Sequence, residues 1–185
     1  SPSKTATDAF VSDVMKAPDF VRLIRGLMTE EVMPTLDMPG TDLGAYRDEL
    51  LERFANPALR HKTWQIAMDG SQKLPQRLLG TIRDRLATKQ PVTRPALGVA
   101  AWVRYVTGVD ESGGPIDVKD PLASRMRAIA DAAHQDPVRL VVGMLTLGEV
   151  FGKDLPQNEV FREAVTAHVK SLFETGSAAT VAAMK

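Results

Sequence analysis

A short polar segment between two apolar stretches contains the residues whose types and spacing suit ligand binding. In TWQIAMDGSQKLPQR (63–77), donors and acceptors crowd together beside Trp64. They are Gln65, Asp69, Ser71, Gln72, Lys73 and Gln76. Hydroxyl-rich ligands are bound by convergent donors and acceptors with an apolar wall behind them. The segment is therefore a candidate site for such a ligand.

The same segment can also be read as a simple corner between two helices. In that interpretation, a helix over 57–68 ends at Gly70, which takes the left-handed conformation that often follows a helix. Asp69 or Ser71 caps a second helix that begins near Leu74, and Lys73 only neutralises a helix end. Both interpretations stay open at this point.

Apolar residues recur at helical spacing along most of the chain. The repeats predict helices over 18–32, 43–54 with Thr41 as N-cap, 74–86, 95–106 and 158–174. Residues 95–106 are apolar nearly all round, which is typical of a central buried helix. In the 158–174 helix, Val160 is expected on the apolar face. No segment alternates apolar and polar residues long enough for a strand, so the predicted fold class is all-α.

Proline and N-cap residues mark the boundaries between these predicted helices. Asn56-Pro57, Asp120-Pro121 and Asp136-Pro137 each put a good N-cap residue before a proline at the first helical position, and Pro18 suits the same position. The longest irregular stretch, 107–121, is expected to be an ordered surface loop. Without repeats or a linker, residues 1–185 are predicted to form one helical domain.

Composition excludes several classes of function. The 23 Lys and Arg residues balance 23 Asp and Glu, which argues against nucleic acid or an anionic membrane as partner. No apolar run reaches the roughly 20 residues of a membrane span, and SPSKTATDAF (1–10) does not resemble a signal peptide. There is no cysteine. The expected location is the cytoplasm.

General catalytic and metal motifs are missing from the sequence. His61, His134 and His168 lack the spacing of metal ligands, and His168 is expected to be structural. No phosphate-binding loop or nucleophile elbow occurs. The acidic pairs 30–31 and 110–111 are expected to be solvated surface. These observations predict neither a metal site nor a catalytic centre in this chain.

Two longer stretches resemble a known enzyme family. PGTDLGAYRDELLERFANPALR (39–60) with DGSQKLP (69–75), and AWVRYVTGVDESGGPIDVKDPLA (101–123), are similar to the polyol-specific long-chain dehydrogenases, which include mannitol 2-dehydrogenase and fructuronate reductase. The resemblance implies a helical C-terminal domain, similar to the 6-phosphogluconate dehydrogenase C-terminal-like fold. The implied enzyme uses NAD or NADP, without metal, to interconvert a secondary alcohol and a ketone on an acyclic sugar.

The family's other parts are not found in this sequence. Its nucleotide lies on an N-terminal Rossmann domain, and its catalytic Lys, Asn and His follow a K-x(4)-N-x(2)-H pattern that a search from Lys4 onward does not find. The resemblance therefore implies that both are absent from this chain, that the Rossmann domain of the same polypeptide is its partner, and that the chain alone is inactive. In the complete enzyme, lysine would act as general acid and asparagine would stabilise the oxyanion.

Substrate contacts follow from the same resemblance. Lys73 matches a substrate-contacting lysine, while Gln65 stands where mannitol dehydrogenases have an arginine that holds the polyol. The sequence around these two residues is more similar to the fructuronate reductases, whose substrate bears a carboxylate. Arg60 or Arg77 could therefore pair with that carboxylate. Together with Asp69 and Ser71, Lys73 and Gln65 form the predicted substrate-binding set, for a polyol, ketose or keto-uronate.

Two alternatives from other classes remain. The chain could be a stand-alone module that binds sugar acids. It could instead be an oligomerisation domain, in which case the apolar 95–106 helix should meet a partner chain.

Overall fold

The computed structural model describes residues 9–184, and Lys4 lies outside the described residues. Within this range the chain is helical, and its β-structure consists of the isolated bridges Phe10–Lys62 and Val109–Pro115. The all-α prediction is confirmed.

The helices of the described range vary from one turn to more than six turns. The α-helices are α1 (Val11–Val14), α2 (Pro18–Gly26), α3 (Leu43–Ala55), α4 (Thr63–Ala67), α5 (Gly70–Leu74), α6 (Gly80–Ala87), α7 (Thr93–Tyr105), α8 (Ala123–Ala133), α9 (Pro137–Leu145), α10 (Gly148–Phe151) and α11 (Glu159–Ala182). Two π-helical segments, Leu27–Val32 and Pro75–Leu79, continue α2 and α5. Short 3-10 helices cover Met33–Thr35, Pro57–Leu59 and Leu155–Gln157.

Helices α7 and α11 form the centre of the core. Val99 and Val103 of α7 are completely buried, as are Phe161, Val165 and Val169 of α11, which recur every four residues. Each such side chain contributes about 1.5–3 kcal/mol relative to remaining exposed. The prediction of a central buried helix is confirmed. Because most apolar side chains of α7 are buried inside this chain, its composition does not require a partner chain.

A buried ionic cluster attaches the N-terminal helices to this core. Glu31 is 3% exposed and accepts hydrogen bonds from the backbone N–H (3.1 Å) and the guanidinium (3.2 Å) of Arg94 in the first turn of α7. Arg85 lies 3.7 Å from the same carboxylate and donates to the carbonyl of Glu30. The expectation of a solvated surface pair is therefore wrong for Glu31, which is paired inside the protein as a buried charge must be.

Three local predictions are wrong. The expected 57–68 helix is interrupted at Arg60, whose φ of 49° is left-handed, so that a 3-10 turn precedes it and α4 follows. Asp42 rather than Thr41 caps α3, since its carboxylate accepts from the N–H of Ala45 at 2.9 Å. Val160 is 56% exposed, because it lies outside the buried stripe of α11 that contains Phe161 and Val165.

The proline-linked caps are largely as predicted. Asn56 accepts from the N–H of Ala58 at the start of its 3-10 turn, Asp136 caps α9, and Pro18 lies at the start of α2. Asp120 is different, because α8 begins three residues later, at Ala123.

The first part of the 107–121 loop is held by bonds to α7 and α11. Arg104 donates to the carbonyls of Val109 and Asp110. The carboxylate of Glu111 accepts from the N–H of Ser177 at 2.6 Å, just after Gly176 breaks α11 with a φ of 81°. The loop therefore links α7 to the C-terminal turn of α11.

Candidate functional site

The corner between α4 and α5 is built differently from either sequence interpretation. Asp69 rather than Gly70 adopts the left-handed conformation, with a φ of 57°, which aspartate tolerates better than most residues. Gly70 is instead the first residue of α5. A Cβ atom at Gly70 would lie 2.3 Å from Nε1 of Trp102, so the glycine is needed for packing against α7.

The first turn of α5 is fixed by the end of the 107–121 loop. The N–H of Ser71 donates to Oδ2 of Asp120 at 2.8 Å, and its hydroxyl donates to Oδ1 at 2.6 Å. The N–H of Asp69 donates to the carbonyl of Lys119 at 2.9 Å. The predicted caps, Asp69 and Ser71, and the predicted start of this helix near Leu74 are therefore wrong, because a residue far away in the sequence supplies the cap.

Lys73 lies in this first turn and reaches back to α4. Its ammonium donates to the carbonyls of Ile66 (3.2 Å) and Gln65 (3.4 Å), the negative end of that helix. An ammonium carries three donors, and these contacts use two of them. The corner interpretation described this neutralising role correctly, and one donor remains for a ligand.

Gln65 adds an amide beside this ammonium. Its side-chain oxygen accepts from the N–H of Lys62 at 2.9 Å, which fixes the start of α4. The NH2 group of the same amide supplies two further donors.

A pocket of about 280 Å³ brings several of the predicted residues together. Its lining residues are His61, Gln65, Ile66, Lys73 and Arg77. Lys73 and Arg77 bring two positive charges, and none of these lining residues is a carboxylate. An electropositive site of this kind attracts anions.

An apolar groove of about 450 Å³ adjoins this pocket and shares Ile66, Lys73 and Arg77 with it. Its remaining wall comes from α4, from α5 with its π-helical continuation, and from α7. The residues of that wall are Thr63, Ala67, Gly70, Leu74, Leu78, Gly98, Ala101, Trp102 and Tyr105. The apolar wall expected from the sequence is therefore present, but Trp102 rather than Trp64 contributes its indole.

Sequence reasoning missed the contribution of α7. Gly98, Ala101 and Tyr105 are spaced by three and four residues, so helical periodicity could have placed them on one face. Burial raises the pKa of Tyr105, and the charges of Asp117 and Asp120 raise it further, against a hydrogen bond from the backbone of Lys119. The phenol is thus a neutral group at the groove.

The structure does not bring every predicted residue to the pocket. Arg60 packs its guanidinium 5.7 Å from the centre of the Phe10 ring and is outside the lining set. Ser71 is 6% exposed and its hydroxyl is bonded to Asp120. Asp69 contributes backbone groups to the corner. Of the six predicted residues, the pocket therefore collects Gln65, Lys73 and Arg77.

A second cavity of about 450 Å³ lies between α7, α8 and the 107–121 loop. Its walls carry charges of both signs. Arg127 is paired with Asp131 at 2.9 Å, and Asp110 accepts from the N–H groups of Ser112 and Gly114 in its own loop. The bonds of Asp110 hold the loop. Because the lining residues include both cations and carboxylates, no single sign of charge would select a ligand in this cavity.

Residues 9–184 lack the features of a metal, membrane-spanning or Rossmann nucleotide site. That range holds no group of three or more His, Cys, Asp or Glu side chains arranged to bind a metal ion, and no helix in it is long and apolar enough to cross a membrane. A Rossmann dinucleotide site needs parallel strands, which the isolated bridges of this range do not provide. The described residues therefore do not fit that type of NAD site.

His168 has a structural contact. Its Nε2 lies 3.0 Å from the carbonyl of Thr93 at the start of α7. Burial lowers the pKa of His168, while the bond to Thr93 raises it. The histidine thus joins α11 to α7 in its neutral form.

Comparison with known proteins gives consistent matches over nearly the whole chain. The model of the mannitol dehydrogenase C-terminal domain matches residues 2–173. D-mannonate oxidoreductase of Escherichia coli K12 is 49% identical over 175 residues, which cover 94% of this chain and 36% of that protein. Mannitol 2-dehydrogenase of Aspergillus niger is 32% identical over 176 residues, with 95% and 35% covered. The chain thus spans about a third of the length of the curated relatives it matches.

Solved structures show the same similarity. The ternary complex of Pseudomonas fluorescens mannitol 2-dehydrogenase with NAD and D-mannitol superposes with a TM-score of 0.85 at 33% identity, covering 94% of this chain and 35% of that one. Substrate-free D-sorbitol dehydrogenase gives a TM-score of 0.79 at 28% identity, covering 92% and 34%.

Proposed function

Because this chain belongs to the mannitol dehydrogenase C-terminal domain family, we propose that it is the substrate-binding domain of a longer oxidoreductase. The complete enzyme would use NAD or NADP to interconvert a secondary alcohol and a ketone on an acyclic sugar acid, of the keto-uronate or aldonate type. A separate Rossmann domain of the same polypeptide would bind the nucleotide and supply the catalytic groups. On this proposal the chain alone is inactive.

The pocket at Lys73 is the observation that carries the choice of a sugar acid. Its lining residues include two cations and no carboxylate, which suits an anionic substrate better than a neutral polyol. Two unit charges about 4 Å apart attract by about 4 kcal/mol near a protein surface, before the cost of desolvation. Recognition of the carboxylate can therefore outweigh the contribution of any single hydroxyl contact.

Lys73 is the proposed ligand of the substrate carboxylate. Its ammonium is already oriented by the carbonyls of Gln65 and Ile66, so little side-chain freedom is lost when its remaining donor meets a substrate. Arg77 lies four residues further on the same helical run and can bring a second donor to the same group. The NH2 group of Gln65 is the proposed partner of a substrate hydroxyl.

Asp69 and Ser71 have a different proposed part. They are held by Lys119 and Asp120, and would act on substrate by shaping the turn that carries Lys73. The domain as a whole would bind the remote end of the sugar and exclude water, which favours a productive orientation at the reacting carbon.

The proposal is tested by kinetics of the complete polypeptide, with fructuronate and NADH compared against fructose and NADH. We expect a lower KM for the uronate. Replacing Lys73 by Ala should raise that KM about 10- to 100-fold, since a hydrogen bond to a charged group is worth about 1.5–3 kcal/mol, and should leave the KM for NADH unchanged. Lys153→Ala, an exposed lysine outside the pocket, is the control and should have no effect.

Two results would contradict the proposal. If fructose or mannitol were the better substrate, the enzyme would act on neutral polyols. If Lys73→Ala left the KM for substrate unaltered, Lys73 would not be a substrate ligand. Calorimetry on this chain alone addresses the stand-alone alternative, because tight binding of a uronate without the rest of the polypeptide would favour a binding module.

A further inference from the structure

The two Asp-Pro pairs of this chain look equivalent in sequence but have different contacts. Asp136 caps its own helix, where its Oδ1 accepts from the N–H groups of Val138 (2.8 Å) and Arg139 (3.0 Å). The carboxylate of Asp120 makes one local bond, from the N–H of Leu122 at 2.9 Å. Its other bonds go to Ser71, 49 residues earlier in the chain.

The carboxylate of Asp120 takes the place of an N-cap for α5. Asp69, the residue in the capping position, is left-handed and makes no side-chain capping bond. Asp120 accepts instead from both the N–H and the hydroxyl of Ser71, and the neighbouring carbonyl of Lys119 accepts from the N–H of Asp69. Bonds to a carboxylate are stronger than those between neutral groups, so the first turn of α5 is firmly held by the 107–121 loop.

Lys73 is part of this turn. Its own N–H donates to the carbonyl of Asp69 at 3.0 Å, and its ammonium lies between the end of α4 and the pocket. A shift of the turn would therefore move the ammonium relative to a bound substrate. We infer that Asp120 is a positioning residue for Lys73, acting through Ser71 on the substrate pocket. This inference rests on the proposed function.

Asp120 itself is outside both lining sets, that of the pocket and that of the adjoining groove. Its effect would therefore be transmitted through the backbone of α5 and not by contact with substrate. Such a residue should alter substrate binding while leaving the bond-making groups of the complete enzyme in place.

Asp120→Asn in the complete polypeptide tests this role. The amide keeps the size of the carboxylate, but in either orientation its NH2 group faces an N–H, of Ser71 in one case and of Leu122 in the other. We expect the KM for the uronate to rise about 10-fold, with kcat changed by less than about 3-fold and the KM for NADH unchanged. In a double variant with Lys73→Ala, the KM should rise no further than in Lys73→Ala alone, because both changes act through one ammonium.

Asp136→Asn is the matched control, since it makes the same chemical change at the cap of α9, outside the pocket, where Oδ1 of the amide can still accept both capping bonds but the negative charge is lost. It should lower the melting temperature without altering the KM for the uronate. If Asp120→Asn behaved in the same way, Asp120 would have only a structural role and the inference would be overturned. Additive effects of Asp120→Asn and Lys73→Ala would overturn it as well.

Ser71→Ala and the Lys73→Ala variant already described keep the test decisive. Should Asp120→Asn fail to fold, Ser71→Ala removes the hydroxyl bond and keeps the backbone bond, and should raise the same KM by a smaller factor. An unchanged KM in Ser71→Ala would then count against the inference. Lys73→Ala distinguishes a failure of this inference from a failure of the proposed function. If it raises the KM while the Asp120 and Ser71 variants do not, the inference fails and the proposed function stands. If Lys73→Ala has no effect, the proposed use of the pocket fails first.

Discussion

Replacement of Gly70 by alanine gives the sharpest test of how the corner is packed. A Cβ atom at this position would lie 2.3 Å from Nε1 and 2.6 Å from Cδ1 of Trp102, whereas carbon atoms in contact are about 3.5–4.0 Å apart. Trp102 is 6% exposed and packs edge-on against Phe151, with ring centres 6.0 Å apart. The indole therefore cannot withdraw without disturbing the core, and α5 must move instead.

The expected cost follows from two opposing terms. Overpacking of a filled core costs about 1–3 kcal/mol, and an overlap of about 1 Å with Trp102 places this site in the upper half of that range, at about 2–3 kcal/mol. Alanine in place of glycine in a helix returns about 1 kcal/mol. The net loss in the free energy of unfolding is about 1–2 kcal/mol. For a domain of this size each kcal/mol corresponds to about 2–4 °C, so the melting temperature should fall by about 2–8 °C.

Thermal unfolding followed by circular dichroism measures this shift, and the chain provides a matched control. Gly80 is also helical, but nothing lies within 4 Å of its Cβ position, so Gly80→Ala should raise the melting temperature. A second variant, Trp102→Phe combined with Gly70→Ala, should recover part of the loss, because Nε1 of Trp102 has no acceptor among the described residues. If Gly70→Ala were as stable as the parent chain, the close packing of α5 against α7 would be refuted.

Two further predictions concern pH. Burial lowers the pKa of His168 below its ordinary value of 6.5, so its stabilising effect is present above pH 6.5 and is lost as the pH falls below it. His168→Gln, which keeps a donor for the carbonyl of Thr93, should reduce the dependence of the free energy of unfolding on pH between about pH 6.5 and 5, measured by urea unfolding. An unchanged pH dependence would contradict the assignment. Hydrogen bonds from Arg83 lower the pKa of Asp154 from 3.8 to about 2, so the pair stabilises above pH 3.8 and its effect disappears toward pH 2. Because Asp154 is 59% exposed, Asp154→Asn should lower the free energy of unfolding by less than about 1 kcal/mol at pH 6, and by less still in high salt. A larger loss that does not depend on salt would argue against a surface ion pair.

Helical periodicity predicted the elements whose burial follows a regular stripe. Phe161, Val165 and Val169 recur every four residues and face α7, so both the helix and its apolar face could be read directly. The same reasoning failed at Arg60, where a left-handed residue divides two short helices. The spacing of apolar residues does not indicate where a non-glycine residue has a positive φ, so helical periodicity could not predict this break.

The candidate site was predictable in its residue types but not in its bonding. The crowding of Gln65 and Lys73 in one short segment indicated a polar corner. Capping by Asp120 depends on a contact between residues 49 positions apart, and periodicity carries no information about such pairs. The sequence predicted a left-handed conformation for Gly70, whereas the structure uses this glycine to pack against Trp102. That contact is also invisible to periodicity, because Trp102 belongs to another helix.

The π-helical segment after Lys73 has a consequence for how this pocket can diverge among related proteins. Leu74 and Leu79 are both buried, five residues apart, which matches the wider turn over Pro75–Leu79. Deleting one residue within that segment would restore an ordinary α-helix, in which the two leucines, then four residues apart, still share a face. Lys73 before the segment and Ile82 after it would keep their places, whereas a position inside the segment, such as that of Arg77, would shift or be lost. A single-codon deletion could therefore change which side chain accompanies Lys73 at the pocket without a new fold.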